Sequence, residues 1–191
     1  KVSLPGAELA GVHYLRNIED VDRIRDDFRP GAKLVIVGAG YIGLEVAAVA
    51  VTRGLDVTVV ELADRVMARG GAPLISDFFT RVHQQAGVKI RCNTGVNAFN
   101  GIARVQGVTL SDGSEIPADL VILGAGIRPN TALARAAGIR LGQTGAIAVN
   151  NRMQTSDPDI YACGDCAESF SIVDGRPLYR PLGSTANKMG R

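Results

Sequence analysis

Lys33-Leu34-Val35-Ile36-Val37-Gly38-Ala39-Gly40-Tyr41-Ile42-Gly43-Leu44-Glu45 sets an apolar run, a Gly-x-Gly-x-x-Gly and the start of an alanine-rich segment in direct succession. The run 34–37 predicts a buried parallel strand, because β-branched residues dominate it and no polar face alternates. Gly38 then permits a tight strand-to-helix turn, Gly40 lets a diphosphate approach the backbone, and Gly43 lets the helix lie close on the sheet. The first N–H groups of that helix have no partner within it and point at whatever anion sits there.

The surroundings of the glycines decide how far this carries. The helix is expected over 41–53, closed by Gly54 as a left-handed C-cap. A second strand over 56–60 ends at Glu61, twenty-three positions after Gly38. That is close to the spacing of about 20 for an acid that takes the hydroxyls of a ribose. Strand, glycines, helix, strand and terminal acid in this order predict a dinucleotide site. The glycines alone would equally suit a βαβ turn that holds no phosphate. A carboxylate at 61 accepts both ribose hydroxyls of NAD and repels the 2′-phosphate of NADP, which an arginine would favour. Arg65 and Arg69 follow close behind and keep NADP open as the alternative.

Composition narrows the class. The 191 residues leave room for one or two domains with real cores. With 46% hydrophobic and 21% charged residues the chain has an ordinary globular balance. A net charge of +2, scattered charges and few aromatics give no surface for nucleic acid or an anionic membrane. No apolar run reaches the roughly 18 residues of a membrane span, and no signal-peptide pattern opens the chain. Three cysteines, an odd count, argue against a secreted disulfide scaffold, so the cytoplasm is expected. The sequence opens without methionine, as a piece of something longer would.

Along the chain, residues 1–14 read as loop, with Pro5-Gly6 as a turn. Asn17 can cap a helix whose Ile18, Val21, Ile24 and Phe28 fall on one stripe, and Arg29-Pro30-Gly31 ends it. Pro73 starts a helix that carries Leu74, Ile75, Phe78, Phe79 and Val82 towards a core and stops at Gly87. A strand over 88–91 precedes short segments at 96–99, 102–106 and 108–110, punctuated by Asn100-Gly101 and Asp112-Gly113. Their pattern predicts an antiparallel meander covering one face of the sheet. Residues 120–123 form another apolar strand, leading into Gly124-Ala-Gly126-Ile-Arg128-Pro-Asn130. The carboxyl ends of parallel strands face the ligand in such sheets, which places this exit near the first glycine loop. A short helix over 131–137, a strand over 160–163 with Asp165 at its end, and a helix capped by Ser184 or Thr185 complete the reading. His13 and His83 read as packing or surface residues, and no metal site is expected. Cys163-Gly-Asp-Cys166 lacks both a thioredoxin-like setting and a second cysteine pair, so it and Cys92 read as structural.

Four motifs in order, Gly38 to Glu45, Gly124 to Asn130, Thr155 to Asp165 and Pro181 to Arg191, resemble the FAD-dependent pyridine nucleotide-disulfide oxidoreductases. The look is of the branch of coenzyme A-disulfide reductases, NADH oxidases and NADH peroxidases. The 81–87 and 153–157 stretches also look like ferredoxin and rubredoxin reductases of the same superfamily. The resemblance implies an α/β chain with a Rossmann-like parallel sheet and an antiparallel meander. It places an NAD-binding domain over 30–145 between two partial FAD-domain segments, 1–29 and 146–191. It assigns Gly38, Gly40, Ile42 and Gly43 to the NAD diphosphate and Glu61 to the adenosine ribose. Gly126 and Glu45 go to the nicotinamide, and Tyr41 becomes the ring that covers the flavin until nicotinamide enters. Asp165 goes to the ribityl chain of FAD, and Leu182, Gly183 and Ser184 to the flavin ring. No catalytic residue is expected within the chain, because the family's redox cysteine and first FAD glycine motif belong to a segment preceding Lys1. A dimerisation domain is expected after Arg191. The implied activity is hydride transfer from NADH to flavin and on to a disulfide, oxygen or peroxide, by a homodimer of the whole protein. This portion alone would not turn over. The alternatives are electron transfer to a ferredoxin-like protein and a nucleotide-binding module without catalysis.

Overall fold

The computed structural model describes residues 2–191. The chain divides into two compact units, the first running to Gly126 and the second from Ile127 to Arg191.

In the first unit β1 (Val12–Tyr14), α1 (Ile18–Arg25), β2 (Lys33–Val37), α2 (Tyr41–Thr52), β3 (Asp56–Val60), α3 (Pro73–Gln85) and β4 (Lys89–Arg91) follow one another. Then come β5 (Val96–Gly101), β6 (Val105–Leu110), β7 (Glu115–Pro117) and β8 (Leu120–Leu123). Five strands form a wholly parallel sheet in the order β1-β8-β2-β3-β4. A separate antiparallel sheet has the order β5-β6-β7.

The unbroken apolar runs are explained by burial on both faces. Alternation sends Leu34, Ile36, Val57, Val59, Leu120 and Ile122 to one side, where they pack with Leu44, Ala47 and Ala50 of α2. Val35, Val60, Val121 and Leu123 go to the other side and meet Phe99, Val105, Val108 and Leu110 of the meander. Each such fully buried side chain contributes about 2 kcal/mol relative to exposure. The small Ala47 and Ala50, with no exposed surface, let α2 settle directly on the strands.

Several local expectations change. Residues 12–14 form a strand, not loop; a histidine in mid-strand hides the apolar signal. His13 is held there by Asp27, 2.8 Å away, whose other oxygen meets Arg104. In the meander, Gly107 lies within β6 and does not end it, Ile102 is exposed in the turn, and the third strand is β7. A bulge at Asn100-Gly101 absorbs the irregularity that reads as a break in the sequence. α1 buries Ile24 but leaves Ile18 and Val21 exposed. On α3 the expected stripe faces outward: Leu74, Ile75, Phe78 and Val82 are exposed. Ser76 and His83 are buried and Phe79 packs on the core. His83 owes its place to hydrogen-bond geometry, with its ring nitrogens 2.8 Å from the carbonyl of Phe79 and 3.1 Å from that of Leu44.

The second unit contains α4 (Ala132–Ala136), β9 (Ile147–Ala148), a 3-10 turn (Gly164–Cys166), β10 (Ala167–Phe170), β11 (Pro177–Leu178) and α5 (Gly183–Met189). Its small sheet has the order β11-β10-β9. Residues 160–163 make one bridge, Gln154 to Tyr161, in place of the expected strand. α5 begins at least two residues earlier than expected, with Leu182 at the N-cap and no side-chain cap from Ser184.

Candidate functional site

The first unit gathers its candidate residues at the carboxyl ends of β2, β3 and β8. Gly38 leaves β2 with φ +105°, and a methyl group on it would stand 2.6 Å from the carbonyl oxygen of Gly124. Hydrogen bonds from the Gly38 amide to Val60 and from the Gly124 amide to Val37, both 2.8 Å, fix this meeting of strand exits. A methyl on Gly43 would lie 2.0 Å from the carbonyl oxygen of Gly38, so α2 closes on the turn to a distance only glycine allows. Around Gly40 the space is open, with nothing within 4 Å of where its Cβ would be. Gly40 is the N-cap of α2 and supplies no side-chain cap, which leaves the first amide groups for an outside acceptor.

Glu61 stands over this turn. Its Oε2 accepts from the Ala39 amide at 2.7 Å and its Oε1 from the Ala63 amide at 2.8 Å. No basic side chain pairs with it among the described residues. Each carboxylate oxygen keeps a further lone pair for a hydroxyl donor. The Ala39 contact is one that spacing cannot reveal, because it depends on β2 and β3 lying side by side. Tyr41, Ile42 and Glu45 on α2 are exposed, and Gly126 takes φ +92° at the end of the β8 exit. The structure therefore brings Gly38, Gly40, Tyr41, Ile42, Gly43, Glu45, Glu61 and Gly126 into one unit, with Gly38, Glu61 and Gly126 following the carboxyl ends of the three inner strands.

The remaining candidates form a second group. Half-buried Asp165 lies in the 3-10 turn, where its backbone carbonyl accepts from the Tyr179 hydroxyl at 2.9 Å. Gly164 has φ +75°, and its Cβ position is 3.4 Å from Cβ of Ala186, which packs the turn against α5. Leu182, Gly183 and Ser184 open that helix, and nothing lies within 4 Å of a Cβ on Gly183. A cavity of about 510 Å³ lined by Met153, Tyr161, Cys163 and Lys188 lies in this unit, and Asp165, Leu182, Gly183 and Ser184 are not in its lining.

All three cysteines are free thiols. Cys166 donates weakly to the carbonyl of Cys163, and Cys163 is exposed. Burial pushes the Cys92 thiol up, and the charges of Glu61 and Asp64 add to the effect. Iodoacetamide at pH 8 is therefore expected to label Cys163 several-fold faster than Cys92, checked by mass spectrometry of tryptic peptides. Equal rates would mean that Cys92 is open to solvent. No group of three metal-ligating side chains occurs among the described residues.

Comparison with known proteins follows the same lines. A family model described as pyridine nucleotide-disulphide oxidoreductase matches residues 1–186. Putidaredoxin reductase of Pseudomonas putida is 46% identical over 166 residues, which are 85% of this chain and 39% of that protein. The structure of an NAD-dependent persulfide reductase from A. fulgidus superposes with a TM-score of 0.93 at 37% identity, covering 100% of this chain and 35% of that one. An FAD-dependent pyridine nucleotide-disulphide oxidoreductase from Desulfovibrio vulgaris gives a TM-score of 0.87 at 40% identity, over 100% of this chain and 49% of that one. The chain spans less than half the length of each.

Proposed function

The chain belongs to the pyridine nucleotide-disulphide oxidoreductase family, and from that premise we propose that it is the NAD(H)-binding portion of an FAD-dependent oxidoreductase. The observation that carries the reading is the glycine turn of residues 38–43, open at Gly40 and faced by Glu61 on the neighbouring strand. Gly38, Gly40, Ile42 and Gly43 offer backbone to the diphosphate, and Glu61 takes the adenosine ribose. Gly126 and Glu45 serve the nicotinamide end, with Tyr41 as the exposed ring beside them. Asp165, Leu182, Gly183 and Ser184 serve FAD. Residues 30–145 form the NAD-binding part and 1–29 with 146–191 belong to the FAD-binding part.

When bound, NADH supplies a hydride and FAD accepts it. The chain's own contribution is placement. Backbone amides hold the diphosphate, the carboxylate at 61 fixes the adenosine end, and the bare glycine at 124 lets the β8 exit lie against Gly43. The final acceptor is a disulfide of the coenzyme A type, oxygen or peroxide. A second reading, reduction of a ferredoxin-like protein, draws support from the 46% identity to putidaredoxin reductase. A homodimer in the cytoplasm is part of the proposal. No described helix is long and apolar enough to cross a membrane.

Titration calorimetry of the chain with NADH, NADPH and FAD tests the reading. Glu61→Arg is expected to weaken NADH roughly tenfold or more and to strengthen NADPH, since it removes a charge-assisted acceptor and supplies a phosphate partner. An unchanged preference would show that position 61 does not read the ribose. FAD binding without NADH binding would overturn the assignment of the glycine turn.

A further inference from the structure

The passage from Glu61 to Gly71 reads as irregular in the sequence, yet it is anchored at almost every step. Val66 and Met67 are buried in the helix-side core, and Met67 holds a left-handed backbone, φ +54°. The Met67 amide donates to the carbonyl of Ala39 at 2.9 Å, tying the passage to the glycine turn itself. Its carbonyl accepts from the amides of Gly70 and Gly71, each at 2.9 Å, which closes a tight loop. Arg65 braces the same loop, with Nη2 on the Ala68 carbonyl at 3.3 Å and Nη1 on Asp64 at 3.1 Å.

Arg69 is left at the tip, and the tip is located from two sides. A methyl on Gly70 would touch the Tyr41 ring at 3.1 Å, at the first turn of α2. A methyl on Gly126 would stand 3.3 Å from Nη1 of Arg69, at the end of the β8 exit. The guanidinium thus lies on the rim where the two glycine-rich exits converge. It is exposed, and no carboxylate or carbonyl engages it among the described residues, whereas Arg65 has both. An exposed cation with unused donors, on a loop anchored to the glycine turn, suits a doubly charged diphosphate, which a guanidinium grips through two parallel hydrogen bonds.

We propose that Arg69 is a diphosphate-binding residue of the dinucleotide site, acting from the loop across the crevice from the amides of α2. The inference rests on the NAD(H) reading given above. It places the arginine at the Tyr41 and Gly126 end, so that it serves NADH and NADPH alike and does not read the 2′-phosphate. It also gives the Arg65 brace a purpose, since that contact fixes the loop one residue before Arg69.

The test compares Arg69→Gln and Arg69→Lys with the parent chain by titration calorimetry against NADH, NADPH, ADP-ribose and adenosine over a salt series. Arg69→Gln is expected to weaken NADH, NADPH and ADP-ribose by about the same factor, roughly tenfold, as loss of one charge-assisted pair implies. Adenosine should be unaffected, the salt dependence should flatten, and Arg69→Lys should recover part of the loss. Unchanged ADP-ribose binding overturns the proposal, as does weakening of NADPH alone, which would make Arg69 a 2′-phosphate reader. Equal weakening of adenosine also overturns it, since the effect would then be loop damage. If the parent chain binds neither NADH nor ADP-ribose, the dinucleotide reading itself falls. If the parent binds both and Arg69→Gln matches it, only the arginine's role does.

Discussion

Gly43→Val is expected to abolish measurable NADH binding and to lower the melting temperature by roughly 5–10 °C. The first side-chain carbon at this position would sit 2.0 Å from the carbonyl oxygen of Gly38, well inside contact distance and against backbone that cannot rotate away. Gly38 cannot retreat freely, because its amide is bonded to the Val60 carbonyl at 2.8 Å and Gly124 lies so close that a methyl on Gly38 would meet its carbonyl oxygen. The start of α2 must therefore lift from the sheet. Overpacking of this kind costs about 2–3 kcal/mol, and each kcal/mol moves the melting temperature of a chain this size by about 2–4 °C. The binding loss is comparable to the stability loss, since a hundredfold in affinity is about 2.7 kcal/mol. The amides of the first helical turn have to meet the diphosphate within a few tenths of an ångström, and misplacement by about 1 Å costs on the order of a hundredfold. Thermal denaturation followed by circular dichroism, with NADH calorimetry on the folded variant, checks both halves. A variant that binds NADH as tightly as the parent would remove the glycine turn from the site.

Glu168→Ala should be the most damaging single change in the second unit. Glu168 is 4% exposed. Its Oε1 accepts from the Gln143 amide at 3.1 Å, and its Oε2 accepts from the Thr144 amide at 2.6 Å and from the Thr144 hydroxyl. One carboxylate thus holds the turn between Leu141 and Ile147, itself bridged, and sits on the strand that follows Asp165 directly. Removing it takes the acceptor from three donors on Gln143 and Thr144, which are themselves exposed, at about 1 kcal/mol each once water replaces it. We expect a loss of about 1–3 kcal/mol in urea unfolding. Glu168→Gln should recover only part of it, because its amide group turns donors towards donors. Gly142→Ala should reproduce the defect, since a methyl there would lie 2.0 Å from Oε1 of Glu168. A loss below about 0.5 kcal/mol for Glu168→Ala would mean that the turn holds itself.

The chain shows clearly which features local rules can carry. β2, α2 and β3 follow the sequence almost residue for residue, because an apolar run, a glycine turn and a left-handed Gly54 leave the backbone few choices. Asn17 caps α1 through a reciprocal pair with Asp20, again a matter of four neighbouring residues. β1 and β7 stay hidden, since each is three residues long; β1 is a strand only because the distant β8 supplies its partners, and β7 because the preceding β6 does. The outward stripe of α3 is missed for a related reason. Periodicity says that a helix has an apolar side, but the neighbour His83 finds is the backbone carbonyl of Leu44, and the histidine is buried there while the apolar stripe stays outside.

The same division runs through the candidate site. By itself the sequence determined the glycine turn, the helix behind it and an acid at the end of the next strand, because each rests on interactions between residues close in the chain or on a fixed strand period. Tertiary structure alone decided that Glu61 reaches back to the Ala39 amide, that the carbonyl of Gly124 bars any side chain at Gly38, and that Arg69 arrives beside Gly126. Those contacts join residues 22 to 86 positions apart, and their distances are set by strand pairing and loop anchoring, which no local pattern encodes.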